Sequence, residues 1–62
     1  MFTIARRYAA DTTEITYLHK ENGKFLFDTK EDAKTAQFLL FGRGKWINTK
    51  HGVVRYTVEE LR

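Results

Sequence analysis

The 62-residue chain has no cysteine, no proline and no serine. Without cysteine there is no disulfide, no thiolate metal site and no thiol nucleophile. Two histidines, His19 and His51, cannot make a structural zinc site alone, and no cofactor is expected. No long apolar run exists either. The longest, Phe38 to Phe41, falls far short of the ~20 residues that span a membrane. Met1 to Ala10 has no apolar signal core, and Arg6 and Arg7 interrupt it, so no secretion signal is read. The lack of cysteine fits a reducing cytoplasm. With no proline, low-complexity stretch or linker, residues 1–62 read as a single domain.

Acid is missing locally as well. Between Ala33 and Val58 there is no Asp or Glu, while Lys34, Arg43, Lys45, Lys50 and Arg55 all fall in that window, with His51 beside them. The net charge of +3 is therefore unevenly spread: residues 1–32 hold five cations and six acids, residues 33–62 six cations and two acids. Such asymmetry bears on partners rather than on fold.

What the chain does have is aromatic bulk. Phe2, Tyr8, Tyr17, Phe25, Phe27, Phe38, Phe41, Trp46 and Tyr56 are nine large side chains in a small protein. They are needed, because a chain this short buries only about 60% of its unfolded surface. Its core supplies roughly 3–5 kcal/mol unless a partner helps.

Phe2 to Tyr8 alternates as a strand, with Phe2, Ile4, Arg6 and Tyr8 on one face. Ala9 to Thr13 reads as a loop. Glu14–Lys20 and Lys24–Asp28 are β-branched and aromatic, and Glu21-Asn22-Gly23 between them predicts a hairpin. Pairing Lys20 with Lys24 puts Ile15, Tyr17, Phe25 and Phe27 on one face and Leu18 and Leu26 on the other. Thr29 or Asp28 caps a helix running to about Phe41; Thr29 with Asp32 resembles a capping box, and Gly42 suits the C-terminus. Ala33, Ala36, Leu39 and Leu40 are its expected inner stripe. A second hairpin follows, Lys45–Asn48 and Val53–Val58, turning through Lys50-His51-Gly52. Pairing Thr49 with Val53 sends Trp46, Val54, Tyr56 and Val58 inward and Lys45, Ile47 and Arg55 outward. Glu59 to Arg62 is expected to end in a short helical turn capped by Thr57. The expected fold is α+β: an antiparallel sheet of about five strands on one helix, in the order β-β-β-α-β-β. Phe25, Phe27, Leu40, Val54 and Tyr56 are its expected core.

The strands Phe2–Tyr8 and Glu14–Asp28, followed by Lys30-Glu31-Asp32-Ala33 opening a helix, resemble the three-strands-plus-helix layout of some integrase arm-type DNA-binding domains. That resemblance implies a sheet facing a DNA major groove. The hairpin after Gly44 departs from it.

No catalytic constellation stands out. Neither histidine has an orienting partner in the sequence, and Glu31–Asp32 and Glu59–Glu60 read as charges at helix starts. Gly42-Arg43-Gly44-Lys45 follows a helix instead of preceding one, so it cannot cradle phosphate as a nucleotide loop does. The expectation is a non-catalytic binding module with no small-molecule substrate and no membrane partner. Arg43, Lys45, Lys50 and Arg55 are the candidate contacts to DNA or RNA, on a β-ribbon that fits a nucleic-acid groove. The competing expectation is a regulatory module that binds another protein or a second copy of itself, through a free sheet edge or an apolar patch at Leu18, Leu26 and Ile47.

Overall fold

A computed structural model describes residues 1–62. Strand β1 (Phe2–Tyr8) is followed by β2 (Ile15–Tyr17), the one-turn helix α1 (Leu18–Glu21), a 3-10 turn (Gly23–Phe25), helix α2 (Lys30–Phe41), β3 (Ile47–Thr49) and β4 (Gly52–Glu60). The class is α+β, as the sequence pattern indicates, but the sheet has four strands, in the order β2-β1-β4-β3, all neighbours antiparallel. Its central pair joins the two ends of the chain, from Phe2 opposite Glu60 to Tyr8 opposite Val54.

Helix α2 forms where its local chemistry places it. The Thr29 hydroxyl accepts the Asp32 N–H at 3.1 Å, and Glu31 and Asp32 occupy the first turn. These contacts supply a free helix-end amide with a partner and set negative charge at the positive end of the dipole. The helix stops at Gly42, whose φ of 78° is costly for any residue with a Cβ and whose N–H returns to the Phe38 carbonyl. The inner face differs from the expected stripe. Ala33 is buried, Ala36 and Phe41 pack on the core, and the Gln37 amide donates to the Tyr56 carbonyl at 2.6 Å. Leu39 and Leu40 point away, 73% and 61% exposed. The helix has turned to lay Phe41 flat on Tyr56, with ring centroids 3.9 Å apart.

The first expected hairpin is not there. Three residues, Ile15–Tyr17, pair with β1 (Tyr17 opposite Ala5, Ile15 opposite Arg7), and the chain then coils into α1. Coiling turns Leu18 into the core, where an extended Tyr17–His19 would have left it on the outer face. Asn22 and Gly23 do not make a tight turn: Gly23 has no positive φ, and the Asn22 side chain accepts the Lys24 N–H to start the 3-10 turn. Phe25–Phe27 returns along β1 beyond the end of β2. There Phe27 exchanges two backbone hydrogen bonds with Phe2, and the Thr3 hydroxyl donates to the Phe25 carbonyl. A single bridge replaces the third strand of the integrase-like layout.

The core is Ile4, Leu18, Val54 and Tyr56, with Tyr8, Phe25, Phe27, Ala36, Phe41 and Ile47 packed around it. Leu40, expected inside, is not part of it. Arg6 lies buried under this layer. It donates to the hydroxyls of Tyr56 (3.2 Å) and Tyr8 (3.4 Å) and forms a two-pronged pair with Glu21 (3.2 and 3.5 Å). Burial alone would lower the Arg6 pKa, but the bonds to Tyr8, Tyr56 and Glu21 raise it beyond its ordinary value, so its charge persists. β4 continues as strand through Glu60, where a helical end was expected, because β1 supplies partners that far.

Candidate nucleic-acid interface

Strand side chains alternate between faces, and all the helices lie against one face, that of Ile4, Val54 and Tyr56. The opposite face, carrying Arg7, Ile15, Tyr17, Val53, Arg55, Thr57 and Glu59, has no helix over it.

The second hairpin sets what this face displays. Thr49 pairs with Gly52, Asn48 with Val53 and Ile47 with Val54, so its loop has two residues, Lys50 and His51, not three. The Thr49 hydroxyl accepts the His51 N–H, and Gly52 leaves the turn at a φ of 92°. This one-residue shift inverts the expected faces. Ile47, expected outward, packs against the core, while Trp46, expected inward, is 46% exposed. Trp46 occupies the place beside Arg55 that the expected register gave to Lys45, and the Arg55 guanidinium carbon sits 5.2 Å from its ring centroid.

Arg55 also lies directly opposite Arg7 across β1 and β4. Like charges in that relation repel across only ~5 Å. Arg7 is partly neutralised: it donates to Glu59 at 3.0 Å and to the Thr57 hydroxyl at 3.3 Å. Desolvation works to raise the Glu59 pKa, but bonds from Thr57 and Arg7 hold it below the usual carboxylate range. Arg55 is not neutralised. Its Nε is buried without a hydrogen-bond partner, and the two ion pairs, Arg6–Glu21 and Arg7–Glu59, do not include it. Ile15, Arg7 and Arg55 thus form one row across the sheet, with Trp46 beside it. Tyr17 stands on the same face, with the Lys20 ammonium 5.7 Å from its ring centroid and His19 edge-on to it.

The four basic candidates therefore separate. Arg55 is at the centre of the uncovered face. Lys50 is exposed at the hairpin tip, and Lys45 is exposed just before β3 but not beside Arg55. Arg43 is exposed at the end of α2 and lies over its own Phe38 at 5.4 Å. Lys34, in the same acid-free stretch, belongs to the helical layer. Of the apolar candidates, Leu18 is buried in the core and Ile47 packs on it, so neither presents an outer surface, whereas Leu26 is 41% exposed. Sequence reasoning missed Arg7 and Tyr17 as neighbours of Arg55, since their relation depends on which strands pair over long separations. Glu59, expected at a helix start, is a strand residue bound to Arg7. No ligand-sized pocket indents the surface. No helix is long and apolar enough to cross a membrane.

Comparisons of the chain with protein-family models, with curated proteins and with solved structures return no match.

Proposed function

We propose that the protein binds single-stranded nucleic acid on the uncovered face of its sheet. The observation that supports this most is Arg55: an unneutralised guanidinium held on an exposed tryptophan, opposite a second arginine. Two cross-strand arginines destabilise a sheet unless an anion reaches them. A phosphate between them relieves that repulsion and releases counterions. The exposed rings of Trp46 and Tyr17 offer the second ingredient, flat surfaces on which unpaired bases stack without sequence preference. Duplex bases are already stacked and cannot use them, so single strands are favoured over the groove contact that a bare β-ribbon suggests. Lys50 and Lys45 extend the positive surface along the hairpin, while Glu59 limits the contribution of Arg7.

Trp46 is the only tryptophan, so its fluorescence reports directly on this face. Titration with oligo-dT or oligo-rU at low ionic strength should quench it, and the affinity should fall with salt. Duplex of the same length should bind more weakly. Arg55→Glu with Lys45→Glu should lower the salt slope by about two units, one per lost phosphate contact. Lys30→Glu with Lys34→Glu, on α2, should leave the slope nearly unchanged. Absence of any salt-dependent response of Trp46 to either oligonucleotide would refute the proposal, as would equal loss in the α2 control.

A further inference from the structure

Three consecutive apolar side chains at the end of α2 have no cover: Phe38 is 53%, Leu39 73% and Leu40 61% exposed. They lie away from the Arg55 face, and nothing in the nucleic-acid reading uses them. We infer that this end of α2 is the contact between two copies of the chain, related by a two-fold axis near Leu39, with their α2 helices antiparallel.

Charge selects this occupant and this orientation. The first turn of α2 and its approach carry Asp28, Glu31 and Asp32 against Lys30 alone. The segment leaving the helix carries Arg43 and Lys45 with no acid. Leu39 shares a helical strip with Asp32 and Thr35, at spacings of seven and four. In an antiparallel pair centred on Leu39, position 32 of one copy lies about 10 Å from the centre, toward the other copy's C-terminal end, at a rise of ~1.5 Å per residue. Arg43 of the second copy stands there, its guanidinium already held at the rim of the patch over Phe38. Each contact then occurs twice, as a two-fold requires. A parallel pair would set acid against acid and Arg43 against Arg43. The other face of the molecule offers no such complement, since its uncovered arginines would oppose their own copies.

Size fixes the strength. Three largely exposed apolar side chains and their rim make a patch of about 300–500 Å² per copy. Doubled, this is at the low end of specific interfaces, so the dimer is weak and concentration-dependent, dissociating in roughly the micromolar-to-millimolar range. The core of only a few large side chains is the reason such a patch is worth covering.

Sedimentation equilibrium of the full chain, without nucleic acid, tests the inference separately from the binding reading. From about 5 µM to 1 mM, the mass should rise from 7.3 kDa toward twice that value. Leu39→Glu should abolish the rise while the circular dichroism spectrum stays unchanged, since Leu39 makes little use of the fold. Asp32→Lys and Arg43→Glu should each weaken association at least several-fold, and the two together should restore it. A constant 7.3 kDa throughout would overturn the inference. So would association that survives Leu39→Glu, which would point to the short edges of β2 or β3. Loss on Leu39→Glu without rescue by the double exchange would overturn the antiparallel arrangement.

Discussion

Replacing Arg6 by leucine isolates the cost of a single buried hydroxyl. The guanidinium has three partners, and they respond differently to its loss. The Glu21 side chain is half exposed, so water takes over its solvation. The Tyr8 hydroxyl keeps its 2.8 Å bond to Thr16. The Tyr56 hydroxyl has no other side-chain partner and belongs to a buried residue. Stranding it should cost about 1–3 kcal/mol, while leucine avoids the desolvation of a cation. A net loss near 2 kcal/mol is about half of what a chain of this size possesses. It should lower Tm by roughly 8–16 °C. Adding Tyr56→Phe removes the stranded group, so the double variant should recover about 1 kcal/mol relative to Arg6→Leu. In the wild-type background the same Tyr56→Phe change should destabilise. Urea denaturation of the four proteins measures the cycle. If the two changes are additive within ~0.3 kcal/mol, the hydroxyl is not what Arg6 serves and the reasoning fails.

Three further outcomes are expected. Gly44→Ala should cost about 1–2 kcal/mol, because Gly44 has a φ of 79° and a Cβ there would meet the Gln37 amide at 3.4 Å, whereas Gly23→Ala, in open space without positive φ, should be neutral or slightly stabilising; thermal melts compare them. Ile47→Ala should destabilise by about 1–2 kcal/mol and Trp46→Ala by under ~1 kcal/mol in urea, and the reverse order would mean that the hairpin has the three-residue loop after all. Glu59, with its folded pKa depressed, contributes stability that is present above its unfolded pKa near 4.5 and lost as pH falls through the lower folded value. Glu59→Gln should therefore remove part of the stability at pH 7, about 0.5–1 kcal/mol, and flatten the loss below pH ~4.5. Asp11, depressed by its bonds from Thr13, keeps a residual slope in the same window.

What was legible in the sequence was local. Thr29, Asp32 and Gly42 delimit α2 through contacts within a few residues, and the alternation of Phe2–Tyr8 and Val53–Val58 marks two true strands. Asn22-Gly23 misled because its signal is shared: the same Asn that favours a hairpin also caps a 3-10 turn, and the need to bury Leu18 decided between them. The second hairpin was placed correctly but shifted by one residue, since Trp46 and Ile47 are both apolar and burial arguments cannot rank them. That single slip moved the aromatic platform to the wrong face. Arg55 was legible as a cation in an acid-free stretch; its juxtaposition with Arg7 was not, because 48 residues separate them in the chain.

The pairing of β1 with β4 has a further consequence for how the chain folds. Closing the sheet's centre requires residues 2–8 to find residues 52–60, so the contacts that bury Ile4 come from the far end of the chain. Helix α2 and the β3–β4 hairpin are short-range and can assemble on their own timescale, while the central ladder must first overcome a long loop closure. During synthesis, β1 leaves the ribosome first and its principal partner last. For that interval an apolar, β-prone segment, Phe2 to Tyr8, has only the three residues of β2 to pair with. Arg6 and Arg7 sit in the middle of that segment, and charges so placed are what keep an unpaired strand from joining its neighbours in an aggregate. The two arginines that later hold opposite faces of the finished sheet act earlier as gatekeepers of the unfinished one.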